Sequence, residues 1–209
     1  MSPALLQKQP VDDRPPLRIH TPPAQQYAPF GNVEARNDLQ ARLEIPTMLL
    51  ALGLPLGGRV LEVGCGRGVA LPVLNAGLLP NSLIGLDIDP ALIQEAERRI
   101  QAHGVHATLI EGDVRDIPLA SSSVDLVVDF GTCYHVGGGV DGSRLALGEI
   151  ARVLRTDGLF VHETPVAQHL AHPVRSFGRT LPWTSVPVLA RDRSAVLWAV
   201  RRKRAWWVR

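Results

Sequence analysis

The chain has 209 residues, 45% of them hydrophobic and 20% charged, with a formal net charge of +2. That is long enough for one domain with a full core, and so small a net charge makes no case for nucleic acid as a partner. No apolar run reaches the roughly 18 residues of a membrane span, and the N-terminal stretch lacks the apolar centre of a secretory signal. The two cysteines, Cys65 and Cys133, lie far apart and form no metal-type pair. A reducing cytoplasm is the expected setting.

Residues 1–32 are punctuated by prolines from Pro3 to Pro29. That density excludes a continuous helix and predicts an extended arm. Tyr27 and Phe30 are its aromatic residues, placed either to cover a substrate mouth or to pin the arm to the core. Asn32 can cap a helix from Val33 to Leu43, whose Val33, Arg36, Leu39 and Leu43 fall close to one face. Pro46 is expected to interrupt it, with a second short helix from Pro46 to Leu52 stopped by Gly53.

The run Val60-Leu61-Glu62-Val63-Gly64-Cys65-Gly66-Arg67-Gly68 organises the rest of the chain. Val60, Leu61 and Val63 suit a central parallel strand covered on both faces. Gly64, Gly66 and Gly68 let the backbone turn tightly and approach a ligand closely. The unpaired N–H groups of the helix that opens next favour an acidic ligand group. A tight strand–helix turn with no ligand is the plain alternative. A nicotinamide dinucleotide fingerprint would need Gly-x-Gly-x-x-Gly, but its third position here is Val69, and Glu62 stands two residues before the first glycine.

Strands and helices then alternate. A short helix is expected at Val69–Asn75, with Gly77 and Pro80 in the connection after it. Ser82–Asp87 reads as a strand. Asp89 caps a helix with Pro90 in its first position, Glu95 and Arg99 as an i,i+4 pair and Gly104 at its end. Ala107–Glu111 is the third strand, Gly112-Asp113 its end and Val114–Ile117 a loop. Val124–Phe130 is the fourth strand and Gly131–Gly142 a glycine-rich loop. Arg144–Leu154 is a helix, and Thr156-Asp157-Gly158 turns into a fifth strand, Leu159–Glu163. Such alternation predicts a parallel sheet with helices on both faces. Its ligands bind beyond the carboxyl ends of the strands, where Glu62, Asp87, Asp113, Asp129 and Glu163 all fall. A short helix near Val166–Ala171 and two closing strands, Val186–Leu189 and Ala195–Val200 about the turn Arg191-Asp192-Arg193, complete the reading. An antiparallel hairpin is a natural edge for such a sheet.

The ordered motifs resemble those of the class I methyltransferases that use S-adenosylmethionine. They are the Glu-x-Gly-x-Gly-x-Gly loop, Gly85-Leu86-Asp87-Ile88-Asp89-Pro90, Glu111-Gly112-Asp113, Val124–Asp129, and Glu149–Arg155 with Asp157-Gly158-Leu159. The resemblance covers about residues 58–163 and points to the compact, small-molecule branch. It implies an α/β, Rossmann-like fold: a mostly parallel seven-stranded sheet, helices on both faces, and an antiparallel C-terminal hairpin. After the proline-rich arm at 1–32, one domain is expected at 33–202. That domain divides into a helical cap at 33–56, a donor-binding core at 57–163 and a C-terminal helix and hairpin at 164–202, with a basic, tryptophan-bearing tail at 203–209.

By the same resemblance, S-adenosylmethionine is the cofactor. Asp87 would accept both hydrogens of the ribose diol, and Ile88 would press on the adenine. Asp113 would accept from the adenine amine and the Val114 N–H would donate to a ring nitrogen. Glu62 would face the ammonium of the methionine part, Gly64, Gly66 and Gly68 would give backbone access, and Asp129 or the Phe130 backbone would border that part. In the loop after the fourth strand, His135 could act as a base or merely hydrogen-bond backbone, and Tyr134 could orient the acceptor or pack as a lid. His162 or Glu163 could also face the pocket, only one of them on a given sheet face.

His169 and His172 are three apart without a third ligand, so no metal is expected. The tail Arg201–Arg209 is read as solvated, or as tryptophans folded back on the domain, with contact to an anionic membrane or nucleic acid as the alternative. The expected activity is methyl transfer to a small-molecule acceptor, natural-product or quinone-like, by a monomer or homodimer. The alternative is a donor-binding partner or regulatory module without chemistry. The stretch Asp129-Phe130-Gly131-Thr132 lacks the Asn/Asp-Pro-Pro-Tyr/Phe signature of amino-group methylases of nucleic acids.

Overall fold

Apolar residues at Val60, Leu61 and Val63 point to opposite faces of one extended segment, so that segment needs cover on both sides. The computed structural model describes residues 33–165, 183–190 and 195–202, and this segment is β1, Arg59–Val63, buried after its first residue. β2 (Ser82–Asp87) lies parallel on one side of it, with Leu61 opposite Ile84. β3 (Thr108–Glu111) runs parallel beyond β2. β4 (Val124–Asp129) lies parallel on the other side of β1, and β5 (Leu154–Pro165) beyond it. β6 (Trp183–Ala190) and β7 (Ala195–Arg202) are antiparallel, and the order is β3-β2-β1-β4-β5-β7-β6. Strand order reverses between β1 and β4, the crevice where such sheets bind ligands.

Alternation along the strands divides the core between the two faces. Leu61, Val63, Val127 and Phe160 pack in one cluster, joined by Leu147 and Ile150 of the helix ahead of β5. Val60, Leu126, Val128 and Val161 pack in the other, under Ile45, Met48, Leu71 and Leu74. Glu62 shares the face of Val60 by alternation, which places an acid against the apolar side of the sheet.

Several local expectations need correction. The break at Pro46 is absent. α1 (Val33–Leu39) passes through a π-helical turn (Gln40–Glu44) into α2 (Ile45–Leu52). Pro46 cannot donate to a carbonyl one turn back, and the Ile45 N–H bonds instead to the Gln40 carbonyl, five residues back. Gly53 does end α2 in the left-handed region, at φ 53°. α3 is Leu71–Leu78, later than expected, and it includes Gly77. A Cβ at Gly77 would come within 2.5 Å of Leu49 Cδ1, so the missing side chain makes room for α2. α4 (Pro90–Ala102) starts as expected, with Asp89 Oδ1 accepting from the Ala91 N–H at 2.8 Å. The expected Glu95–Arg99 pair gives way to longer-range contacts. Glu95 meets Arg67 Nη1 at 3.0 Å, and Arg99 Nε donates to the Arg67 carbonyl at 3.0 Å. The glycine-rich loop after β4 holds a short helix, α5 (Thr132–His135), and α6 begins early (Gly139–Val153). β5 runs through the expected turn at Thr156–Gly158, with a register shift opposite Val124/Leu126 and Asp157 at φ 64°.

The arm with Tyr27 and Phe30, the helix expected near Val166–Ala171 with His169 and His172, the turn at 191–193 and the tail at 203–209 lie outside the described residues. Among the described residues, no helix is long and apolar enough to cross a membrane.

Gly64 is at φ 64°, and a Cβ there would fall 1.7 Å from Thr132 Oγ1, whereas at Gly104, φ 63°, it would meet nothing within 4 Å. Gly104→Ala is therefore expected to cost about 1–2 kcal/mol, the backbone term alone. Gly64→Ala adds overpacking and should cost roughly 2–5 kcal/mol. Urea unfolding of both variants checks the difference, and equal losses would mean that Thr132 simply moves aside.

Candidate active site

The sheet gathers its acids at one edge. Glu62 lies one residue from the end of β1, Asp87 and Asp129 end β2 and β4, and Asp113 follows β3 by two residues. All four are buried. Carboxylates in such positions need partners, and the partners reveal how each is used.

Asp87 supports the glycine loop. Its Oδ2 accepts from the Gly66 N–H at 2.8 Å and its Oδ1 from the Asp89 N–H at 2.9 Å. Burial holds its carboxyl above the ordinary range, against the pull of those N–H groups. Gly66 is left-handed at φ 51°, and a Cβ on it would meet nothing within 4 Å, so the loop has an open side there. Gly68, at φ 70°, is packed instead: a Cβ would come within 2.9 Å of Ala96 Cβ, which seats the turn against α4. Ile88 follows β2 half-buried, and Val114 is buried beside Asp113.

Glu62 is the exception to the partner rule. It is 4% exposed, and its Oε2 has no hydrogen-bond partner among the described residues. Burial pushes its carboxyl well above the ordinary range, and the nearby Asp87 and Asp129 push the same way. A group left so is complementary to a cation.

Asp129 is committed to the loop after β4. Its Oδ1 accepts from the Thr132 N–H at 2.6 Å and its Oδ2 from the Cys133 N–H at 3.2 Å, at the start of α5. Oδ2 also lies 2.7 Å from His162 Nδ1, both side chains being fully buried. Burial would raise the Asp129 carboxyl, but His162 and Cys133 outweigh it and hold the group below the ordinary range. Thr132 Oγ1 donates to the Val63 carbonyl at 3.2 Å, and Ser143 Oγ to the Cys133 carbonyl at 2.8 Å. The start of α5 is thereby fastened to β1 and to α6. His135 ends α5 and is exposed, and Tyr134 precedes it in the same helix. His162 points into the interior against Asp129, stacked on Phe160 with ring centres 5.2 Å apart. Burial pushes both thiols up, with Glu62 and Asp87 adding to the effect at Cys65 and Asp129 at Cys133. Neither is poised as a nucleophile.

Asp113 holds a residue that sequence reading passed over. Arg115 donates from Nε to its Oδ1 and Oδ2 at 3.0 and 2.9 Å, and from Nη2 to Oδ2 at 2.6 Å. The spacing of two in a loop was the available signal. Thr132 was missed as well, because nothing local marks a residue that meets Val63 across the sheet.

Residues 61–162 match the family model described as a methyltransferase domain. With this sheet order and this glycine cradle, residues 61–162 are thus similar to a methyltransferase domain, and the fold is the one that such domains share. The relatives are more particular. Over 105 residues the chain is 35% identical to the phthiotriol/phenolphthiotriol dimycocerosates methyltransferase of Mycobacterium leprae, a match taking in 49% of this chain and 36% of that protein. Over 106 residues it is 34% identical to the fatty-acid O-methyltransferase of Mycolicibacterium smegmatis, taking in 51% of this chain and 36% of that one. An S-adenosylmethionine-dependent methyltransferase from Aquifex aeolicus superposes with a TM-score of 0.68 at 15% identity, covering 81% of this chain and 96% of that chain. The matched region thus takes in only 36% of either curated relative.

The cradle suits a ligand with a cationic amine, for the unpartnered Glu62 oxygen, and leaves space over Gly66. A folded-state value raised above the unfolded one gives Glu62 a stabilising contribution that is complete below about pH 4.3 and is lost as pH rises through the folded value. Glu62→Gln removes that dependence. Between pH 5 and 8 the variant should gain stability relative to the native protein, by at most about 1.4 kcal/mol per pH unit. Urea midpoints at the two pH values measure it, and parallel curves would show that Glu62 does not titrate in this way.

Proposed function

We propose that the chain transfers a methyl group from S-adenosylmethionine to a small, lipid-like acceptor. The observation that carries the donor half is Glu62, buried with an unpartnered oxygen beside an open glycine loop. The acceptor class rests on the mycobacterial relatives, which are named for phthiotriol/phenolphthiotriol dimycocerosates and for a fatty acid.

When bound, S-adenosylmethionine supplies a methyl carbon already activated by a sulfonium. What remains for the protein is alignment, which can lower a barrier by on the order of 7–11 kcal/mol. Glu62 receives the ammonium group, and Asp87 the ribose hydroxyls. Ile88, Asp113 and the Val114 N–H form the adenine side, and the backbone at Gly64, Gly66 and Gly68 lets the donor lie close. Asp129 holds the start of α5 rather than reaching the donor with its own side chain. Residues 33–56 cover the donor side as a helical cap. For an acceptor that must lose a proton, His135 is the base and Tyr134 the orienting residue.

Calorimetric titration with S-adenosylmethionine, S-adenosylhomocysteine and NADH tests the donor. The first two should bind and the third should not. Asp87→Ala should weaken them by at least about tenfold, or about 1.4 kcal/mol. Asp87 also holds the Gly66 N–H, so Asp87→Asn serves as its companion. No binding by folded, ligand-free protein would overturn the assignment. Radiolabelled methyl transfer to a panel of fatty acids and lipid phenols tests the acceptor. On any acceptor that loses a proton, His135→Gln should lower kcat by about 10²–10⁴-fold with donor affinity unchanged. An unchanged kcat would remove His135 from the chemistry.

A further inference from the structure

Arg115 has a second set of contacts that donor binding does not require. While Nε and Nη2 grip Asp113, Nη1 donates to the Gly137 carbonyl at 3.0 Å. Gly137 lies in the short link between α5 and α6. Its carbonyl also lies against Gly142 in the first turn of α6, where a Cβ would come within 2.0 Å of it. The oxygen is therefore held between α6 and the guanidinium. The two groups Arg115 joins come after β3 and β4, which are not neighbours: β2 and β1 lie between them in the sheet. The bridge thus connects the two flanks of the strand edge. A planar guanidinium can grip a carboxylate with one pair of N–H groups and reach a carbonyl with another, which an ammonium cannot do in fixed geometry.

The start of the same loop is fastened separately, by Asp129 and Thr132. Arg115 supplies the fastening at its far end. From this we infer that Arg115 is a positioning residue coupling the two halves of the site. With the adenine side of the donor seated at Asp113, it holds the Gly137 link, so donor occupancy orders the acceptor-side loop. The inference rests on the proposed binding of S-adenosylmethionine. By linkage, whatever seats against that loop tightens donor binding by the same factor.

Hydrogen exchange of the segment 136–142, with and without S-adenosylhomocysteine, is the test. Residues 62–68 serve as the reference for donor binding itself. In the native protein, S-adenosylhomocysteine should slow exchange in both segments, by about fivefold or more at 136–142. Arg115→Lys keeps a cation beside Asp113 and loses the fork. It should retain ligand-induced slowing at 62–68 and lose it at 136–142. Arg115→Gln, which cannot pair with Asp113 as a cation, should behave the same way at 136–142. The readout is the change caused by the ligand, so a general loosening of the variants does not imitate it. Equal ligand-induced slowing at 136–142 in native protein and both variants would overturn the coupling, as would its absence in the native protein when S-adenosylhomocysteine binds. Failure of folded native protein to bind the ligand at all would overturn the donor assignment together with the inference built on it.

Discussion

Taking a carboxyl oxygen out of water without a hydrogen-bond partner is costly, and the centre of this sheet holds the Oε2 of Glu62 in that state, with no partner among the described residues. Its position comes from strand alternation, because it shares a face with Val60 and lies between Gly85 of β2 and Val128 of β4. Neither neighbour offers a donor from its side chain. Asp87 and Asp129 nearby make the charged form less favourable still. The arrangement makes physical sense as a preformed half of an ion pair, the other half of which arrives with a ligand. The glycine loop beside it serves the same end, since a backbone without side chains lets that ligand come close.

The cradle would be of little use if the loop after β4 were free to drift. Asp129 prevents this by accepting two N–H bonds at the start of α5, and His162 keeps that carboxylate ionised in a fully buried position. Thr132 then carries the constraint across to Val63, filling the space that Gly64 leaves. The start of the loop after β4 is in this way fixed to the strand that carries the glycine turn. Rigidity of this kind suits a reaction whose donor is already activated, where catalysis is mostly alignment.

The same fold hosts many chemistries, and the residues that decorate the strand ends separate them. The donor cradle is built mostly from backbone: strand ends, a tight turn, a helix start. The loop after β4, which carries Tyr134 and His135, is tied back by Arg115.

Much of this was legible in the residues. Apolar runs of strand length, each with an acid at or next to its end and leading into glycine or a capping Asp, identify β1, β2 and β4 with little ambiguity, because burial on two faces and turn geometry are local demands. Asp89 and Pro90 at the start of α4 are equally local. The errors fell where a distant residue decides. Gly77 belongs to α3 because Leu49 needs its space, and Glu95 turns to Arg67 rather than to Arg99. The π-helical turn before Pro46 replaces a break because the backbone found another acceptor. The sequence by itself thus determined the strand–helix order and which acids stand at the strand ends, since periodicity and turn chemistry act within a few residues. Only the tertiary structure decided what each acid holds: Asp129 its own loop and His162, Asp113 the guanidinium of Arg115, and Glu62 no partner for its Oε2 among the described residues. Those pairings depend on which strands lie side by side, and spacing along the chain carries no record of that.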